Sequence, residues 1–305
     1  MTPDLGGSLS ERQLLWVDLE RDDAGPPKEL AQRLGLDPRD MAGLSDEPER
    51  RPRMRRSEER LILTLHALEP DDGKPPKLVR REVELLAGRN LVVTVHEGPI
   101  QALDRFVHEL DGETRLGALT AADLLSSLAD EVIAGYFRIV ELIEREIDEL
   151  DQRALRALPD DDVLAAIVAL RRRVSLVRRS ITQHRDALAA LGRPEMQVED
   201  VIGQPWGGLG DRLERAIDAV ESLRDALLGT YEVYMGRTAQ HANDTMKALT
   251  VLSAVLLPAV VLAGIMGMNF KLGFFDDASN IGYVFAAMVL LAIAILGVAR
   301  WRSWI

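Results

Sequence analysis

The 305-residue chain contains no cysteine. Disulfide frameworks, thiolate zinc sites and thiol nucleophiles are therefore excluded. Also missing are a Gly-x-x-x-x-Gly-Lys-Ser/Thr phosphate loop and a His-Glu-x-x-His pair, so nucleotide hydrolysis and metalloprotease chemistry have no support and the chain does not read as an enzyme. The five histidines, His66, His96, His108, His184 and His241, share no metal-ligand spacing, and each reads as structural or surface. The opening MTPDLGGSLSERQ has no basic segment followed by an apolar core, so no cleaved signal is expected. The most consequential absence is of charge. No side chain from Ala248 to Phe270 is charged, and none from Ala278 to Ala299.

A helix rises about 1.5 Å per residue and needs roughly 20 apolar residues to cross the hydrocarbon. Both uncharged runs meet that length. Ten residues between Ile281 and Val298 are Ile, Leu, Val or Phe, which together favour the bilayer by about 3 to 6 kcal/mol. A buried hairpin in a soluble core is the competing reading, and it fits poorly with two long runs bracketed by basic residues. The spans are assigned to about 248–268 and 281–299, with an outer loop at 269–280. Lys247 precedes the first and Arg300 and Arg302 follow the second, whereas the loop carries Lys271 against Asp276 and Asp277. The positive-inside tendency then places both termini of this multi-pass chain in the cytoplasm, and the plasma (inner) membrane is the expected location.

The other four-fifths of the chain looks soluble. Residues 1–247 hold 34 of the 37 basic and 47 of the 49 acidic side chains, a net charge of −13. Such a surface disfavours nucleic acid and favours cations. Leu14–Leu19, Leu61–Leu68, Leu78–Leu86 and Asn90–His96 have strand length and composition, while Pro27–Gly35 and Ile100–Leu110 read as short helices. Residues 40–59, rich in Arg, Glu, Pro and Asp, read as a mobile connection. From Thr120-x-x-Asp123, a capping box, helical spacing runs through Leu158. A second helix is expected from Asp160 to Leu191, its arginines pairing with acids such as Glu141, Glu144, Glu146, Asp148 and Glu149 or simply solvated. Beyond Gly207-Gly208-Leu209-Gly210, a helix from Asp211 through Met266 would run about 80 Å. Pro258 cannot donate to the Ala254 carbonyl, so a bend or a freed carbonyl is expected there. The fold class is α+β: an N-terminal α/β cytoplasmic domain (1–118), a helical stalk region (119–247) and a transmembrane domain (248–305).

The two spans differ. The second is apolar all round, but the first carries Asn243, Met246, Thr250, Ser253, Leu257, Gly264 and Gly267 at steps of three, four or seven, along one stripe. Close packing through Gly264 and Gly267 is one explanation. The wall of a pore built by several copies is the other, and spacing alone does not choose.

Asn243-Asp244-x-Met246-Lys247-x-Leu249-Thr250, then Leu257-Pro258, then Gly264-Ile265-x-Gly267-Met268-Asn269-Phe270 resembles the first transmembrane helix of the CorA family of divalent-cation transporters, which includes a ZntB-like branch. Gly-Met-Asn at the outer end of this helix is that family's hallmark. Weaker similarity reaches back through Tyr231 and Tyr234 and forward to Arg300-Trp301-Arg302. Met266 stands where an aromatic is usual, Val260 where a polar residue follows the proline, and glycines around Gly208 where many members have an interfacial Asp. Asp211 is the nearest acid, so a regulatory metal position there is only nominal.

The resemblance implies a funnel-shaped homopentamer with the first span lining a central pore and the second facing lipid. Asn269 would supply a ring of amides at the outer mouth, with Gly267 and Met268 shaping the loop. Asn243, Met246, Leu249, Thr250, Ser253, Leu257 and Gly264 would line the pore, the apolar Met246, Leu249 and Leu257 forming a constriction. Asp276 and Asp277 would attract cations outside. No cofactor is implied: the cation is cargo, most simply Mg²⁺ with Co²⁺ and Ni²⁺ as passengers, and internal Mg²⁺ would also regulate closure. A Zn²⁺ transporter of the ZntB type, with protons coupled, is the alternative. A membrane-anchored regulatory protein that transports nothing is the reading from another class.

Overall fold

The computed structural model describes residues 13–21, 34, 51–57, 60–70, 77–110, 120–156, 161–193, 208–267 and 280–302. Five strands, β1 (Leu15–Glu20), β2 (Arg53–Ser57), β3 (Arg60–Pro70), β4 (Leu78–Ala87) and β5 (Leu91–His96), form one sheet in the order β1-β5-β4-β3-β2. β1 runs parallel to β5 and the other pairs are antiparallel. Both faces of the centre are covered, which is why β3 reads as a continuous apolar run and not as an alternation. Leu61, Leu63, Leu65, Val83, Leu85 and Val92 are fully buried on one face. Ile62, Leu86, Val93 and Val95 form the core of the other, with Val17, Leu19, Leu34 and Leu91 packed against them.

The expected strands and the helix after β5, α1 (Gln101–Leu110), are all present. Within the mobile connection expected at 40–59, β2 corrects the expectation for Arg53–Ser57, while 40–50 and 58–59 lie outside the described residues. With only Met54 apolar among its five residues, β2 joins β3 as an arginine-rich edge, a composition that blunts pairing with another chain. The predicted helix Pro27–Gly35 lies outside the described residues except for Leu34. Gly98, at φ +63°, follows β5 in a conformation suited to glycine, and a Cβ there would collide with the Arg81 guanidinium.

Helix α2 (Ala121–Arg156) opens on the predicted capping box: Thr120 N–H donates to Asp123 Oδ2 at 3.0 Å, and Asp123 N–H donates to Thr120 Oγ1 at 3.2 Å. The helix expected over 160–191 is present as α3 (Asp161–Thr182) and α4 (His184–Ala189), joined through Gln183, whose backbone stays helical at φ −64° and ψ −22°, and closed by a 3₁₀ turn (Ala190–Gly192). At that joint His184 Nδ1 faces the carbonyls of Ser180 and Ile181 at 2.9 and 3.2 Å. Of the predicted interhelical ion pairs, Arg173 meets Glu146 at 2.5 Å. Arg178 instead meets Glu221 of α5 (Leu209–Met266) at 2.5 Å.

His184 also closes an open sheet edge. β2 pairs with β3 only up to Thr64, so among the described residues the β3 backbone beyond it faces no strand on that side. At His66 the gap is filled by side chains: the His66 N–H donates to His184 Nε2 at 3.0 Å, and the Tyr136 hydroxyl donates to the His66 carbonyl at 2.7 Å. Because Nε2 accepts, the proton sits on Nδ1 and the ring is neutral. Burial, then the nearby His66, lowers the pKa of His184 to about 4; burial, then Arg80, does the same for His66.

The chain divides into two compact units, Met1–Leu150 with Ala165–Gly229, and Asp151–Leu164 with Thr230–Ile305. The second holds the greater part of α5 and helix α6 (Asn280–Trp301). α5 continues through Pro258 without interruption, 58 residues or about 87 Å in length.

Replacing His184 with Leu removes the acceptor that the His66 N–H uses and is expected to cost about 1–3 kcal/mol at neutral pH. His66 and His184 stay neutral in the fold down to about pH 4 but protonate near pH 6.5 when unfolded. The unfolded chain therefore binds more protons in that window, and their contribution to stability is lost as the pH falls from about 6.5 to 4. Thermal melts of the detergent-solubilised chain at pH 7.5 and 5 should show a smaller loss on acidification in His184→Leu than in the wild type.

Candidate functional site

α5 and α6 each contain a stretch long and apolar enough to span a membrane, and only 6% of each stretch is buried. The core helix of a soluble protein would be mostly buried, so the soluble-hairpin reading fails. Burial divides α5 into two faces. Lys247, Val251, Val255, Pro258, Leu262 and Met266 are buried or half-buried at steps of three or four; Val284, Met288, Ala292, Ile295 and Ala299 make the matching face of α6. Each of these series is a helical stripe.

The predicted stripe lies on the other side of α5. Asn243, Met246, Leu249, Thr250, Ser253, Leu257 and Gly264 are all exposed, with Met246 at 62%, Leu249 at 56% and Leu257 at 68%. At 100° per residue its centre falls about 150° from that of the half-buried face. A Cβ on Gly264 would meet nothing within 4 Å, so packing within the chain does not explain that glycine. Gly267 follows the helix in a turn, its N–H bonded to the Ala263 carbonyl at 3.0 Å. Met268, Asn269, Asp276 and Asp277 lie outside the described residues.

Near Lys247 the side chains sort by charge. Asp244 accepts from Lys247 Nζ and from Gln240 Nε2, both at 3.1 Å, and these contacts hold the carboxylate off the stripe. Asn243 is left as its polar end, neutral and exposed. Thr250 donates its hydroxyl to the Met246 carbonyl at 2.8 Å, which satisfies its proton and leaves its lone pairs outward.

Asp211 sits exposed in the first turn of α5, next to Arg212, which is tied to Asp130 at 2.7 Å. Among the described residues, no group of three or more acidic or histidine side chains is placed to hold a metal. The sheet carries a charged cluster that sequence inspection missed, because Arg21 lies more than 60 residues from the acids it meets. Arg21 donates to Glu84 Oε2 at 2.9 Å and lies 3.6 Å from Glu82 and 3.5 Å from Glu97. Burial pushes the Glu82 and Glu84 carboxyls up to about 7, against the pull of Arg21. On the opposite face, His96 donates from Nδ1 to the Gly98 carbonyl at 2.6 Å and from Nε2 to Asp18 at 3.3 Å. Both partners only accept, an arrangement that favours the protonated ring, and Asp18 raises its pKa despite burial.

The family model described as CorA-like Mg2+ transporter protein matches residues 11–302, nearly the whole chain. The chain belongs to the CorA-like Mg²⁺ transporter family. Membership makes it a divalent-cation transporter of the membrane and not an enzyme. It is 26% identical to the cobalt/magnesium transport protein CorA of Thermotoga maritima over 234 residues, covering 75% of this chain and 66% of that one. CorA of Methanocaldococcus jannaschii is 24% identical over 306 residues, covering 98% and 93%. The complete solved structure of that CorA magnesium transporter matches with a TM-score of 0.78 at 24% identity over the same shares of the chains, so the mixed sheet, long helices and C-terminal spans are the CorA fold. The zinc transport protein ZntB of Yersinia enterocolitica is 23% identical over 256 residues, covering 82% and 75%.

The absence of native cysteine allows single thiols to map the two faces of α5. Thr250→Cys and Ser253→Cys should react with a water-soluble, membrane-impermeant thiol reagent roughly tenfold faster than Val255→Cys and Leu262→Cys, because the thiolate forms where water reaches. Labelling rates in proteoliposomes read the difference directly.

Proposed function

We propose that this chain is the subunit of a homopentameric Mg²⁺ channel in the plasma membrane, with both termini cytoplasmic and α5 lining the axis. The exposed stripe opposite the α6-facing side of α5 carries this reading. A polar series within a span needs water or another copy against it, and one hairpin cannot enclose water. Several copies arranged with their stripes inward supply both. Met246, Leu249 and Leu257 then form apolar rings that exclude water when narrow, and Asn243 forms the polar exit.

At the outer end Asn269 presents a collar of neutral amides. Mg²⁺ gives up its water reluctantly, so amide oxygens hold it through its hydration shell, and the absence of charge there lets it leave again. Asp276 and Asp277 raise the local cation concentration, and Met268 and Gly267 shape the approach. A membrane potential supplies about 2.3 kcal/mol per elementary charge per 100 mV, hence about 4.6 for a divalent ion, enough for uptake without ATP. Co²⁺ and Ni²⁺ follow the same route. The net −13 of residues 1–247 makes neighbouring subunits repel, and internal Mg²⁺ bound between them, near Asp211, favours closure. Likeness to ZntB supports Zn²⁺ as the second reading of the cargo.

Liposomes containing the purified protein, an imposed potential and an internal ion indicator separate the two cargoes. Mg²⁺ entry should exceed Zn²⁺ entry, and Asn269→Ala should slow it by about tenfold or more, since a hydrogen bond to a charged group is worth about 1.5–3 kcal/mol. Full entry in that variant removes the amide collar, and Zn²⁺ entry alone reverses the assignment of cargo. Loading the liposomes with Mg²⁺ should reduce further entry; insensitivity to internal Mg²⁺ removes the regulatory part.

A further inference from the structure

Where α5 and α6 approach one another, the helices leave a groove of about 480 Å³. Val251 and Ala254 form one wall, and Ala294, Ile295 and Val298 the other, while Trp301 and Arg302 stand at the end where α6 terminates. The hollow has a simple cause: Ala254, Ala294 and the adjacent Ala299 are too short to fill the space between two helical backbones. Only Val251 and Ala299, at 7% and 5% exposure, are buried among the described residues of the two spans. Val251 lies about 140° from the centre of the Asn243–Gly264 stripe at 100° per residue, so the groove opens away from the proposed pore.

Two observations specify its occupant. The walls are aliphatic along the span, and the end is cationic: Arg300 and Arg302 are exposed, and no carboxylate pairs with either among the described residues. The nearest acid on α5, Asp244, is already held by Lys247 at 3.1 Å. A span from a second copy would match the walls, but neither uncharged run holds an acid for Arg302. An acyl chain with an anionic head matches both. Trp301, 85% exposed, has the amphipathic ring that settles at the level of lipid headgroups.

From this geometry we infer that the α5–α6 groove is a binding site for an anionic phospholipid, with one acyl chain along the alanine wall and the phosphate on the Arg302 guanidinium. The guanidinium fork suits two phosphate oxygens. Basic pockets between spans at the cytoplasmic side are where such headgroups collect, and the positive-inside tendency assigns this end to that side. The inference rests on α5 and α6 crossing a bilayer and not on which ion is carried.

Native mass spectrometry of the full chain in detergent, equilibrated with equal phosphatidylglycerol and phosphatidylcholine, tests it. The wild type should retain phosphatidylglycerol preferentially, and Arg302→Gln should lower that preference about fivefold, the effect of one arginine near the surface. Ala294→Phe, which fills the groove, should lose lipid of both classes while Arg302 remains. Equal retention of the two lipids by the wild type, an unchanged ratio in Arg302→Gln, or full retention in Ala294→Phe overturns the assignment. So does a wild type free of lipid whose oligomer dissociates on Ala294→Phe, the signature of a second copy in the groove. Arg302 is exposed and its replacement leaves the packing intact, so the result does not depend on whether Ala294→Phe folds. Ion entry is not the readout, so a failure of the transport reading would show separately in the flux measurement.

Discussion

Peptide groups withdrawn from water must find partners within the protein, and this requirement governs both compact units. In the spans it is met by the helix itself: α5 stays helical through residues 248–266, where lipid would offer nothing, and lacks only the bond that Pro258 cannot donate to the Ala254 carbonyl. In the sheet it is met less regularly. β3 outlasts its neighbour β2, and the exposed groups of His66 are taken by Tyr136 from α2 and His184 from α4. A strand edge is thereby sealed by two side chains, each held on a helix.

The same helix is asked to do different things on different sides. Its half-buried face, Val251 to Met266, matches the half-buried face of α6. Its other face collects the amide of Asn243, the hydroxyls of Thr250 and Ser253 and the glycine at 264, all exposed in the single chain. Glycine in a helix interior is disfavoured by roughly 0.5–1 kcal/mol relative to alanine. Among the described residues, nothing lies within 4 Å of where a Gly264 Cβ would stand, so packing there does not account for that cost.

Charge is partitioned as sharply as polarity. Titratable groups are concentrated outside the spans, where some are buried in pairs: Arg21 with Glu82 and Glu84, and His96 with Asp18. Exposed interhelical links such as Arg185 to Glu214, 2.6 Å apart, contribute about 0–1 kcal/mol each, so they orient helices more than they stabilise them. Removing a partner from the buried cluster is the costlier change, because the surviving charge stays desolvated.

Much of this architecture was legible in the residues themselves. Two charge-free runs imply spans because the bilayer penalises charge by several kcal/mol per residue, and the Thr120–Asp123 pair implies a helix start because its hydrogen bonds are local. The stripe on α5 followed from periodicity, and the Gly267-Met268-Asn269 setting carried the family. β2 escaped notice because an edge strand of arginines has no apolar signature; its strand character comes from β3 beside it. The Arg21 cluster and the α5–α6 groove escaped for a related reason. Each is made by groups far apart in the chain, and a sequence records period and composition along one line but not which distant side chains share a space.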